Sequence, residues 1–186
     1  MKIRVVSQRW FKENTWGLGL LPVYRCPDSV FWKENNFISI RHSAETDPNC
    51  AIPVNGSNIL KLRFDDVVEY PDRAQALFDG VLIEKNPQGY YGDDPDHALV
   101  LFDAGIAGKI VRFIRRIDTN RLLFINCGAG ISRSGAVGEV LNDYFNKYLE
   151  RNELDDEYFR RLNRQIQGNP LVRRIFREAL FGKDCM

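Results

Sequence analysis

The stretch LLFINCGAGISRSG, residues 122–135, decides how the rest of the chain is read. Leu122, Leu123, Phe124 and Ile125 make a short unbroken apolar run, the pattern of a parallel strand buried on both faces. The run leads to Cys127, and five residues separate that cysteine from Arg133. Gly128 and Gly130 lie between them and permit backbone turns that a side chain would block. From Arg133 or Ser134 onward, Val137, Val140, Leu141, Tyr144, Phe145 and Tyr148 recur at spacings of three and four, which predicts an amphipathic helix. A strand, a tight loop and a helix start therefore follow one another directly.

That order has a chemical consequence. The loop N–H groups, joined by the unpaired N–H groups of the first helical turn, form a concavity suited to a tetrahedral dianion. Its expected lining is Gly128, Ala129, Gly130, Ile131, Ser132 and Arg133. The same field, reinforced by the Arg133 guanidinium, favours the thiolate of Cys127 and so places a nucleophile beside the anion. Arginine suits the position because its planar fork can hold two phosphoryl oxygens, which lysine cannot do. Ser134 is placed to donate a hydrogen bond to the sulfur when it departs.

The residues CGAGISRS resemble the phosphate-binding loop of the cysteine-dependent protein tyrosine phosphatases, whose pattern is His-Cys-five residues-Arg-Ser/Thr. The Ala-Gly-Ile-Ser-Arg-Ser portion is closest to the dual-specificity branch. The resemblance implies an α/β fold with a mostly parallel central sheet flanked by helices, a phosphocysteine intermediate, no metal or organic cofactor, and a phosphorylated protein or peptide as partner. It departs from the family at Asn126, which stands where the family has histidine. Asparagine can still hydrogen-bond to the backbone but carries no charge, so a working site with a less strongly favoured thiolate is expected. The alternative is a phosphoprotein-binding module that keeps the cradle without turnover. Low-molecular-weight phosphatases and their arsenate-reducing relatives carry their loop near the amino end, unlike a cysteine at position 127 of 186.

The family also implies a general acid, an aspartate on a loop. LKLRFDD places Asp65 and Asp66 at the end of a predicted strand, on the sheet edge that carries Cys127 if the strands are parallel. Asp66 resembles the family acid in following a strand, but it lies 61 residues before the nucleophile, which requires an insertion between them. The Asp93 to Asp96 cluster in YGDDPDH competes; Asp94 and Asp96 lie 33 and 31 residues before Cys127 but have no apolar strand ahead of them. His97 beside that cluster reads as a surface residue. The catalytic set is therefore Cys127, Arg133, Ser134 and Asp66, with Asp65 and the Asp94/Asp96 pair as alternatives. The loop's variable positions carry no lysine, which disfavours a multiply phosphorylated lipid and favours phosphotyrosine, with phosphoserine or phosphothreonine as further options.

Around this stretch, residues 2–6, 37–40, 58–64 and 122–126 read as strands. Ile106, Ile110, Phe113 or Ile114, and Ile117 give one face of a helix that begins near Asp103 and leads into the Cys127 strand. Residues 155–165 and 169–181 read as two later helices, the second with Asn169 as N-cap and Pro170 at the first helical position. Residues 73–78 suggest a short helix, followed by an irregular or hairpin excursion that holds Tyr90 and Tyr91.

With 186 residues and 44% hydrophobic content, one domain spanning 1–186 is expected, with an insertion at about 67–102. A net charge of +1 gives no global basicity that would draw nucleic acid or an acidic membrane, and the arginines at 160, 161, 164, 173, 174 and 177 read as solvated helix faces. Cys26, Cys50, Cys127 and Cys185 form no CxxC pair, and with only His42 and His97 available a zinc site is not expected. Widely spaced thiols, no signal-peptide pattern and no long apolar run lead us to expect a cytoplasmic, monomeric protein.

Overall fold

A computed structural model describes residues 1–10, 30–45, 55–69, 90–91 and 99–182. Four strands form an all-parallel sheet: β1 (Ile3–Ser7), β2 (Asn36–Arg41), β3 (Ile59–Arg63) and, after a two-residue antiparallel pair β4 (Val68–Glu69) and β5 (Tyr90–Tyr91), β6 (Leu123–Cys127). The spatial order is β1-β6-β2-β3. The strand that carries Cys127 is thus central, in register with Ser7 of β1 on one side and, through Asn126, with Ser39 of β2 on the other. All five β6 residues are buried, which is why its sequence is continuously apolar up to Asn126.

Helices cover the sheet. The short helix α1 (Val30–Glu34) supplies Trp32, which packs with Val6, Phe37 and Phe124 on one face. On the other face Ile3, Val5, Ile38, Ile40, Leu123 and Ile125 meet α2 (Ala104–Ile114), α3 (Arg133–Asn142) and α5 (Pro170–Phe181), while α4 (Glu153–Leu162) lies alongside and contributes Phe159. Helix α2 starts where its sequence indicates, with the Asp103 carboxylate accepting from Ile106 N–H at 2.7 Å. Asn169 caps α5 in the same way, with Pro170 at the first helical position.

Two elements differ from the sequence expectation. The helix expected over 155–165 is α4, which begins two residues earlier behind the N-cap Asn152 and stops at Leu162. It stops because Asn163 leaves the helix to serve β1. Its side-chain carbonyl accepts from Val5 N–H at 2.7 Å and its amide donates to Ile3 carbonyl at 3.3 Å, while Gln165 donates to Val5 carbonyl. Among the described residues no strand pairs with the outer edge of β1, and these side chains take that place. The helix after Cys127 also does not run uniformly as α: from Asp143 to Leu149 it widens to a π-helix, turning Phe145 and Asn146 inward.

The short helix expected at 73–78, most of the proposed insertion, Asp93 to Asp96, His97, and Cys26, Cys50 and Cys185 lie outside the described residues. The backbone of Tyr90 and Tyr91 pairs with β4. Among the described residues no helix is long and apolar enough to cross a membrane.

Candidate active site

Cys127 ends β6 at the carboxyl edge of the sheet, 2% exposed, so its sulfur lies at the floor of the loop that follows. Its Sγ is 3.0 Å from the hydroxyl of Ser134, which is fully buried in the first turn of α3. Gly128, Ala129 and Ile131 are exposed and form the loop's outer rim.

The flanking scaffold sets the direction of the loop peptides. Gly128 carbonyl accepts from Gln8 N–H, Ile131 carbonyl from Gln167 N–H, and Ser132 carbonyl from both Ala136 and Asn169 N–H. A trans peptide points its C=O and N–H in opposite directions, so the N–H groups of Ala129, Ser132 and Arg133 are turned away from those anchors. Donors turned away from the scaffold in this way have the orientation an anion cradle requires.

The two loop glycines are not equivalent, contrary to the sequence reading that treats both as turn-makers. Gly130 has φ +73°, and a Cβ there would fall onto Ser7 N and the Val6 carbonyl group at the end of β1. Gly128 adopts no such backbone, and a Cβ there would meet nothing within 4 Å. We therefore expect Gly130→Ala to lower stability by at least about 2 kcal/mol, from left-handed backbone strain plus overlap. Gly128→Ala should stay within about 0.5 kcal/mol. Urea unfolding of the two variants side by side tests this, and equal effects would refute the distinction.

Arg133 opens α3 and is 8% exposed. One guanidinium nitrogen donates to Phe64 carbonyl at 2.8 Å, which anchors the side chain to the chain just after β3. Its Nε is buried and has no hydrogen-bond partner. A buried N–H on a cation is costly to leave without a hydrogen bond, so this nitrogen is poised for an incoming oxygen.

The structure separates the neighbouring aspartates. Asp65 is 1% exposed and accepts from Ser43 N–H, the Ser43 hydroxyl and Val100 N–H, with His42 Nε2 3.3 Å away. Burial alone would push its carboxyl up; the Ser43 and Val100 hydrogen bonds, with His42 nearby, outweigh that and hold it below the ordinary aspartate range. Asp65 thus has both carboxyl oxygens engaged by donors, which tie the ends of β2 and β3 to residue 100. Asp66 faces the loop instead. Its Oδ1 accepts from the Ser132 hydroxyl at 2.6 Å, and its Oδ2 lies 3.9 Å from Arg133 Nε.

Solved structures of similar shape include Tk-PTP and PTPMT1. Tk-PTP in its active form matches over 97% of this chain and 92% of its own, at 13% identity and a TM-score of 0.43. PTPMT1 in complex with PI(5)P matches over 89% and 87%, at 13% identity and a TM-score of 0.41. PTPMT1 alone matches over 88% of each chain at 15% identity, with the same TM-score of 0.41. No family model matches the sequence, and no curated protein matches it significantly.

Asn126 departs from expectation. It is 3% exposed, and its side-chain carbonyl oxygen has no hydrogen-bond partner, so this oxygen does not brace the loop backbone. The residue that sequence reasoning missed is Asn169. Recognised there only as a helix cap, it also donates from Nδ2 to Asp66 Oδ1 and to Val67 carbonyl, both at 2.8 Å. The arginines expected as a solvated face are partly engaged as well: Arg160, Arg173, Arg174 and Arg177 pair with Asp156, Glu139, Glu178 and Asp143.

Proposed function

We propose that this protein is a cysteine-dependent phosphomonoester hydrolase of the protein tyrosine phosphatase type, acting on phosphorylated protein or peptide, with phosphotyrosine as the main substrate. One observation carries the reading: a buried thiol at a strand end, 3.0 Å from a hydroxyl, shares its loop with a buried guanidinium whose Nε has no hydrogen-bond partner.

The chemistry follows from that placement. The Cys127 thiolate attacks phosphorus in line with the ester oxygen, forming an S–P bond as the P–O bond breaks. The N–H groups of the loop and the Arg133 guanidinium hold the equatorial oxygens, whose charge spreads in the transition state. Asp66 gives its proton to the departing oxygen and becomes a carboxylate. Water then attacks the phosphocysteine, Asp66 takes the proton, and the S–P bond breaks to return the thiolate and phosphate. Ser134 stabilises the departing sulfur by hydrogen bonding. No metal or organic cofactor has a role in these steps. The uncharged rim of Gly128, Ala129 and Ile131 favours a substrate with one phosphate, and an open cleft of about 480 Å³ beside Ile131, Gln167 and Pro170 leaves room for flanking peptide.

The test is hydrolysis of phenyl phosphate without added metal. Asp66→Asn should lower kcat about 100-fold while inorganic phosphate still inhibits competitively. An unchanged kcat would move the acid role to Asp94 or Asp96. Binding of phosphopeptide with no turnover in the wild type would instead assign a phosphoprotein-binding module.

A further inference from the structure

The Asp66 carboxylate is held unsymmetrically. Two donors among the described residues, the Ser132 hydroxyl at 2.6 Å and Asn169 Nδ2 at 2.8 Å, bind the same oxygen, Oδ1. The other oxygen, Oδ2, makes a long ion pair with Arg133 Nε at 3.9 Å, and the side chain remains 25% exposed. Two donors on one carboxyl oxygen occupy its lone pairs, so a proton arriving on the group goes to the other oxygen. The donors are well fixed. Ser132 is the N-cap residue of α3, and its carbonyl is bonded by Ala136 and Asn169 N–H. Asn169 is 2% exposed, with its own carbonyl oxygen occupied by Val172 N–H and its amide shared with Val67 carbonyl.

We infer that Ser132 and Asn169 are positioning residues that clamp Asp66 by Oδ1, so that Oδ2 carries the proton and faces the phosphoryl site. This rests on the phosphatase reading above and goes beyond it, because neither residue touches the reacting atoms through its side chain. The clamp also makes acid placement depend on phosphate-loop geometry. Ser132 belongs to the loop, and Asn169 bonds that loop by its backbone and the acid by its side chain, so the nucleophile's cradle and the proton donor are held as one unit. In the first step the Oδ2–H bond breaks as the leaving oxygen gains the proton, and the resulting carboxylate keeps its two hydrogen bonds at Oδ1.

The test compares kcat on phenyl phosphate, whose leaving oxygen needs a proton, with kcat on p-nitrophenyl phosphate, whose leaving group departs readily as an anion. The variants are Ser132→Ala and Asn169→Ser; serine at 169 keeps a capping oxygen for α5 but is too short to reach Asp66. For both, the phenyl-to-nitrophenyl ratio of kcat should fall about tenfold, a fraction of the full general-acid contribution. Ser132→Thr, which keeps the hydroxyl, should restore it. Equal losses on the two substrates, or no loss, would overturn the clamp, since a merely structural role lowers both rates together. Asp66→Asn, run alongside, separates the failures: if it leaves the ratio at the wild-type value, Asp66 is not the acid and the clamp fails with it. A wild-type protein that turns over neither substrate refutes the phosphatase reading and the clamp together.

Discussion

Cys127→Ser should lower hydrolysis of p-nitrophenyl phosphate by at least about 10⁴-fold, because on the proposed mechanism loss of the covalent nucleophile removes the reaction path itself. The substitution is nearly isosteric, and the sulfur is buried against Ser134, so the fold has little reason to respond. A serine hydroxyl is far harder to ionise than a thiol, and the loop's donors cannot make up that difference. The same donors remain in place, so inorganic phosphate or a phosphopeptide should still bind. Loss of turnover with retained binding is the expected pair of results. A variant that still hydrolyses the ester would exclude the phosphocysteine path.

Arg133→Lys should lower kcat about 10³-fold, the scale on which removal of a preorganised donor from a transition-state oxygen acts. Charge is conserved in this change, so the loss isolates the planar fork. On the proposed mechanism two functions depend on that fork. One nitrogen anchors to Phe64 carbonyl at 2.8 Å, while Nε has no hydrogen-bond partner. A lysine ammonium can take one role or the other. If it stays with Phe64 carbonyl, the phosphoryl oxygens lose their partner; if it turns to the phosphate, a carbonyl is left unpaired, at a cost of about 1–3 kcal/mol. Urea unfolding with and without saturating phosphate distinguishes these outcomes. A kcat within tenfold of wild type would mean that charge alone suffices.

The fold was legible from local signals where those signals carry their own cause. Periodicity and caps located α2 and α5, because Asp103 and Asn169 act within three residues of themselves. The early end of α4 was not legible. It depends on Asn163 reaching β1, 158 residues away in sequence, to complete an edge that does not exist until the sheet forms. Glycines at 128 and 130 look alike in sequence; only the proximity of β1 makes one indispensable and leaves the other replaceable.

The chain's own order determined the Cys127 loop and the start of α3, since Cys127, Arg133 and Ser134 lie within one strand-loop-helix unit whose geometry is local. Tertiary structure alone decided the relation between Asp65 and Asp66. Both residues lie beyond the end of β3, where no strand pairing fixes the direction of their side chains. Which of them meets Ser43 and Val100, and which meets Ser132 and Asn169, is set by segments that converge only when β2, β3 and α5 are packed around β6. Side-chain chemistry is written in the sequence, but the partners that hold one carboxylate in the scaffold and turn its neighbour toward the phosphate loop are separated from it by as many as 103 residues.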